Sequence, residues 1–410
     1  MKILWVSQNL PYPPKTGVLQ RNYNLIREAT SFAEVHLIAI LKQDILPDYD
    51  AKLAEEELAK LCASVTVVQL PTEMSRFRFF WVLFKSLFTR LPFTVNWANC
   101  QALRDAISSA CASHSFQLAY FDTISLAPYR KQVEPAACVL NHHNIESGLF
   151  DRRIQFEPNS LLRFYLRQEV RKLKAYESSI VHTFDVNLTV SELDAERLLQ
   201  ISPRVRTAVV ANGVDVGYFS PRHTSPETGH LVMVSGMNWF PNRDAAIFMA
   251  QDIWPLVSAV IPASRLTIVG TSPPPAILEL AARDTRVAVT GFANDVRPYI
   301  ERAQIYLCPM RDGGGTRLKI LDALAMCRPI VATTMALEGI AVTPEREVLI
   351  ANTPAEFVSQ IERIVKNPEF GRELAVNGRA YVERHFSWAV IRDNMRMAFE
   401  SAINSRAKHE

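Results

Sequence analysis

Ile305-Tyr-Leu-Cys-Pro309 and, after Met310-Arg311, Asp312-Gly-Gly-Gly-Thr-Arg-Leu-Lys-Ile-Leu-Asp-Ala-Leu-Ala325 decide the fold. An apolar run stops at a proline, three glycines follow, and a helix-forming run begins. Strand, glycine turn and helix form the repeating unit of a parallel α/β sheet, whose ligands bind at the C-terminal ends of the strands. The glycines, Gly313, Gly314 and Gly315, let a backbone approach a ligand closely. With Thr316 they lead to a helix start that aims unpaired N–H groups and the positive dipole end at one spot. Arg317 and Lys319 stand beside that spot and suit a diphosphate. Asp322, one turn deeper, suits sugar hydroxyls. The segment reads as a site for a nucleoside diphosphate carrying a sugar. It is not a Walker A loop, since no Gly-Lys-Ser/Thr follows at the required spacing, nor a Gly-x-Gly-x-x-Gly dinucleotide turn. The plain alternative is a glycine turn before an ordinary helix, with solvated charges.

The same alternation extends in both directions. Lys2–Ser7, Val35–Leu41, Val65–Leu70, Leu118–Asp122, Cys138–His142 and Val186–Val190 read as buried parallel strands. Helical patterns such as Gln20–Ser31 and Tyr49–Cys62 lie between them. A second series comprises His230–Ser235, Arg265–Val269, Val287–Thr290, Ile305–Pro309 and Pro329–Thr333. The prediction is α/β: two tandem doubly wound domains, 1–195 and 205–385, with a linker near 192–228. A helix over 386–405 is expected to pack back on the first domain.

A chain of 410 residues is too long for one ordinary core. A hydrophobic fraction of 48% with 21% charged residues describes a globular enzyme rather than a disordered or fibrous chain. The net charge of +3 is too small to argue for a nucleic-acid partner. Cys62, Cys100, Cys111, Cys138, Cys308 and Cys327 form no C-x-x-C pair and read as small buried hydrophobes in a reducing compartment. No apolar stretch reaches transmembrane length, and the first strand lacks the pattern of a signal peptide. The expected location is the cytoplasm.

Arg76 to Trp97 is rich in aromatics and carries Arg76, Arg78, Lys85 and Arg90, with no acid until Asp105. As one amphipathic helix it suits an anionic membrane surface. The competing reading is a core helix with snorkelling cations.

Taken in order, several segments make the chain resemble the GT-B glycosyltransferases of retaining family 4, in the branch found in exopolysaccharide and cell-surface glycan assembly. They are Pro11-Tyr-Pro-Pro-Lys-Thr-Gly-Val-Leu-Gln-Arg21, His143-Asn144-Ile145-Glu146, Val190-Ser191-Glu192 and Asn212-Gly213-Val214-Asp215. Ser235-Gly236-Met237-Asn238-Trp239-Phe240-Pro241-Asn242, Gly291-Phe292-Ala293-Asn294-Asp295-Val296 and Gly313–Ala325 complete the series. The resemblance implies two Rossmann-like domains facing a cleft, a nucleotide sugar on the C-terminal one and an acceptor on the N-terminal one. It further implies transfer to a glycan hydroxyl, and a lipid-linked acceptor would favour the membrane reading of 76–97, with peripheral attachment to the inner face of the plasma membrane. No metal and no cofactor beyond the donor are implied.

Carried over residue by residue, the resemblance puts Asp322 on the nucleotide ribose, as Asp where the family usually has Glu. The family's first acid is missing, since Gly314 stands there; Asp312 or the glycine amides could replace it. The family's cations after the first C-domain strand are absent from the Gly236 to Asn242 stretch, which leaves the diphosphate to Arg317 and Lys319. Gly236 and Asn238 would border the donor there. Gly17 matches the loop glycine near the donor phosphates, and His143 the histidine facing the sugar. Phe292 is a candidate to border the nucleobase or a packing aromatic. A GT-B-fold nucleotide-sugar epimerase and a non-catalytic nucleotide- or glycan-binding relative are the competing functions.

Overall fold

The computed structural model describes residues 1–42, 49–133, 136–222 and 225–407. Two compact units emerge: residues Met1–Ala211 with Ile391–Glu410, and Asn212–Val390.

In the first unit a parallel sheet is built from β1 (Lys2–Ser7), β2 (Glu34–Leu41), β3 (Ser64–Gln69), β4 (Leu118–Phe121), β5 (Ala137–His142), β6 (Val186–Thr189) and β7 (Thr207–Val209). Their spatial order is β3-β2-β1-β4-β5-β6-β7. β1, β4 and β5 carry almost wholly buried runs, as strands covered on both faces must. Trp5 on β1 stacks on Tyr120 of β4 at 3.8 Å, and Phe399 from the C-terminal helix Trp388–Arg406 meets both rings edge-on. Ser387, between the Pro368–Phe386 and Trp388–Arg406 helices, has an extended backbone.

The second sheet holds β8 (Glu227–Val234), β9 (Arg265–Val269), β10 (Val287–Val289), β11 (Ala303–Cys308), β12 (Ile330–Ala332) and β13 (Leu349–Ile350). They are parallel, in the order β10-β9-β8-β11-β12-β13. The Pro354–Lys366 helix opens with a capping box between Thr353 and Glu356 and buries Phe357, Ile361 and Ile364 at helical spacing.

Two sequence expectations change. The stretch 192–228 is not a linker throughout. It begins with the helix Glu192–Ile201, whose Ser191 side chain caps Asp194 N, and continues into β7 beside β6. The stretch 76–97 is not one helix. It breaks into Arg76–Ser86 and Phe93–Ala98, joined by a turn over 87–91, and Pro92, which could not continue a helical ladder, stands at the N-cap of the second helix. Phe79 packs into the core against Phe93, yet Phe77, Phe80, Trp81, Phe84 and Phe88 face water. A purely core helix is excluded.

Candidate functional site

Each sheet reverses its strand order once, between β1 and β4 and between β8 and β11. At such a switch point the loops beyond the strands diverge and leave a crevice for a ligand. Candidate residues gather at both.

In the second unit, the loop after β8 runs from Ser235 through Trp239 into the helix Phe240–Phe248. It is knitted to its neighbours by Ser235 N donating to Val269 O (2.7 Å) and Met237 N to Thr271 O (2.9 Å). Gly270 N donates to Gly291 O (2.9 Å), so the exposed Phe292 belongs to the same row of loops. A Cβ on Gly270 would lie 1.8 Å from Ser235 O, so only glycine allows this approach. Gly236 is half-buried and Asn238 exposed on the outer side of this row.

The glycine loop after β11 needs glycine for its conformation. Gly313 has φ 126° and Gly315 φ 67°. These turns direct carbonyls inward, and a cation answers them. The Arg317 guanidinium donates to Gly314 O (2.5 Å), to Gly315 O and to Met335 O, and the residue is only 4% exposed. The side chain expected beside a phosphate is therefore turned into its own loop as a brace. Asn212 Nδ2 ties the same loop by donating to Thr316 O (3.2 Å). Asp312 is buried, and its Oδ1 accepts from Gly313 N at 2.6 Å.

Lys319 joins the two loops. Its Nζ donates to Ser235 Oγ (3.1 Å) and to Asn242 Oδ1 (2.7 Å), while Asn242 Nδ2 reaches Gly236 O (2.8 Å). Burial of the ammonium pushes its pKa down to about 8. Both hydrogen-bonded partners are neutral. Asp322 is half-buried one turn further along the Leu318–Ala325 helix, near enough for its charge to act on Lys319. Arg243 was missed in the sequence. Exposed on the first turn after Trp239, it donates from Nε to Met237 O at 3.1 Å. The Asn242-Arg243 pair directly after a proline was the available signal.

In the first unit, Asp122 lies just beyond β4 and is fully buried. Its Oδ1 meets His143 Nε2 at 2.8 Å, and its Oδ2 accepts from Asn22 Nδ2 (2.8 Å) and Gln8 N (3.2 Å). Burial works against its charge, but the neighbouring His143 and these donors hold the carboxyl below its ordinary range. His143 keeps an accessible edge. Adjacent His142 differs: it is buried against Asn187 Oδ1 at 3.0 Å, and desolvation lowers its pKa to about 4, so it stays neutral. Gly17 opens the first-unit helix Gly17–Ala29 and is exposed.

Lys42, beyond β2, stacks over Trp97 with Nζ 4.5 Å from the ring centre. Glu146 begins the helix after His143. Burial first, then Glu177, pushes its pKa up to about 7. Among the described residues no three His, Cys, Asp or Glu side chains cluster as metal ligands.

Residues 228–367 match the family described as glycosyl transferases group 1. Over 397 residues the chain is 21% identical to an uncharacterised 44.6 kDa protein in the cps region of Klebsiella pneumoniae, covering 94% of this chain and 96% of that one. The fold is similar to that of sucrose-phosphate synthase from Thermosynechococcus elongatus, at 18% identity and a TM-score of 0.71, over 98% of each chain. Anabaena HepE in complex with UDP-glucose matches at 15% identity and a TM-score of 0.65, over 98% of this chain and all of that one. An S. aureus TarM mutant in complex with Fondaparinux, alpha-GlcNAc-glycerol and UDP matches at 12% identity and a TM-score of 0.67, over 97% and 99%. The two-unit α/β architecture is that of the GT-B glycosyltransferases.

Proposed function

We propose that this chain, which has a GT-B fold and whose residues 228–367 match the glycosyl transferases group 1 family, is a glycosyltransferase that transfers a hexose from a nucleoside-diphosphate sugar to a glycan hydroxyl, with retention of anomeric configuration. The observation that carries this is Lys319, a desolvated cation with neutral partners, strung between two loops at a sheet switch point. An ammonium so placed is stabilised by an incoming anion, and the N-terminus of the Leu318–Ala325 helix, directly after the glycine loop, suits a diphosphate.

In this reading the diphosphate lies against the Gly313–Thr316 loop and the loop after β8, with Lys319 as its counter-charge. Arg317 keeps the glycine loop in shape. Asp322 accepts from the ribose hydroxyls, and Phe292 borders the base. The bond from the anomeric carbon to the phosphate oxygen breaks as the acceptor oxygen bonds that carbon on the same face. The acceptor proton passes to the departing phosphate oxygen. Charge builds on the diphosphate during this step, and Lys319 neutralises it without a metal ion. His143, oriented by Asp122, positions sugar hydroxyls. The cps-region relative supports an acceptor in surface polysaccharide assembly. We take that acceptor to be lipid-linked and met at the inner membrane face.

A panel of nucleotide sugars, incubated with lipid extract and read by diphosphate release, tests the reaction. Release that depends on the extract is the expected result. An epimerised donor, or binding without turnover, would replace this reading with a nucleotide-sugar epimerase or a binding protein. On the cognate donor, Asp322→Asn should weaken nucleotide affinity by about ten-fold, the value of one charge-assisted hydrogen bond. Unchanged affinity by calorimetry would remove Asp322 from the ribose.

A further inference from the structure

The aromatic residues between Arg76 and Leu91 form one continuous outer ridge. Phe77 is 79% exposed and Phe88 77%, with Phe80, Trp81 and Phe84 more than half exposed between them. Their spacing of three or four residues puts them on one stripe of the Arg76–Ser86 helix and the turn after it. The rings touch each other, Trp81 to Phe84 at 6.3 Å and Phe84 to Phe88 at 5.3 Å between centroids. The helix is anchored from behind by Phe79 on Phe93 and by Ser86 on Tyr165 Oη (3.3 Å). The ridge is thus held firmly and presented outward.

A second element reaches the same place. The helix Ser160–Ile180 is tied to the first by that Ser86–Tyr165 bond and by Lys172 Nζ donating to Ser86 O (2.5 Å), and its Glu169 accepts from Phe93 N (2.6 Å) at the start of the Phe93–Ala98 helix. Its first turns expose Leu161 (81%) and Phe164 (60%). The sequence gives no sign that these belong with the aromatic ridge. Charge completes the picture. Arg76, Arg78, Lys85 and Arg90 are exposed, and no Asp or Glu occurs between Ser75 and Arg104.

An apolar patch of this size left in water is a contact surface. Like cations on both faces disfavour pairing with a second copy. Aromatic rings flanked by arginine and lysine suit the boundary between headgroups and acyl chains of an anionic bilayer. No helix among the described residues is long and apolar enough to cross a membrane. We infer that the Arg76–Ser86 helix, the turn over 87–91 and the first turns of Ser160–Ile180 together dock on an anionic lipid surface. The surface itself stands on exposure and charge; its use in reaching a lipid-linked acceptor rests on the proposed sugar transfer.

The test is cosedimentation of the full chain with vesicles of phosphatidylglycerol and phosphatidylcholine, against phosphatidylcholine alone. The chain should bind the anionic vesicles, and added salt should weaken binding because the attraction is screened. Arg78→Glu with Lys85→Glu should reduce binding by about ten-fold or more, each charge contributing roughly 1 kcal/mol at such a surface. Leu161→Ser with Phe164→Ser should also reduce it, while circular dichroism melts stay at the wild-type temperature. Absence of vesicle binding at low salt overturns the inference. So does a dimer by light scattering that Trp81→Ser converts to monomer, which would assign the ridge to a second copy. Wild-type binding by the Leu161/Phe164 variant overturns the joint face. Vesicle binding by a chain that turns over no nucleotide sugar would retain the surface and remove the proposed reaction.

Discussion

Lys319→Met should cost the protein its donor affinity by about 10- to 100-fold, the value of one charge-assisted phosphate contact. Turnover should fall further than affinity, because leaving-group charge is greatest in the transition state. Calorimetry with the cognate nucleotide sugar separates the two effects, and affinity equal to wild type would remove Lys319 from the phosphates. Lys319 also sets a pH dependence. Its pKa of about 8 in the free chain leaves the ammonium charged below that pH and neutral above it. Donor affinity should therefore be flat up to pH 8 and fall above it by about ten-fold per unit. Without donor the sign is reversed. Burial penalises the charged form, so stability carries a cost below pH 8 that is relieved as pH rises toward the unfolded value. Lys319→Met should accordingly lose binding at pH 7 with little or no loss of thermal stability. A mutant that melts far below wild type would make Lys319 a structural bridge between Ser235 and Asn242.

The second large effect belongs to the first unit. His143→Ala should lower kcat by about 100-fold while leaving donor affinity near wild type, since misplacement of reacting groups carries a penalty of that order. Asp122→Asn should act in the same direction, because it removes the 2.8 Å partner that orients the imidazole. Neighbouring His142 cannot substitute, being enclosed beside Asn187. Wild-type turnover in His143→Ala would reduce the pair to packing. A parallel loss of donor affinity would instead attach His143 to the donor.

The strands were legible because their apolar runs end at glycine or proline, as at Gly236, Gly270, Gly291 and Pro309. β7 and β13 were not, since Thr207–Val209 and Leu349–Ile350 are too short to carry a pattern. The break inside 76–97 was marked by Pro92, but the aromatic run around it outweighed that sign. At the site, composition located Lys319 and Asp322 on one helix. It could not reveal the inward turn of Arg317, which follows from carbonyl directions set by positive φ at Gly313 and Gly315. Nor could it pair His143 with Asp122, which only the adjacency of β4 and β5 brings together. Side chains joined through a sheet leave no periodic trace in the chain.

The aromatic cluster of Trp5, Tyr120 and Phe399 has a consequence for biosynthesis. The second unit is a single continuous stretch and has all its residues as soon as Val390 leaves the ribosome. The first unit begins to emerge earlier but lacks Phe399, a fully buried side chain, until the last part of the chain is made. The Trp5–Tyr120 stack therefore lacks its Phe399 contact while the whole second unit is translated. A stop codon or a protease cut shortly before Ile391 would remove part of the first unit's interior, and the damage would fall on the end of the protein that was synthesised first.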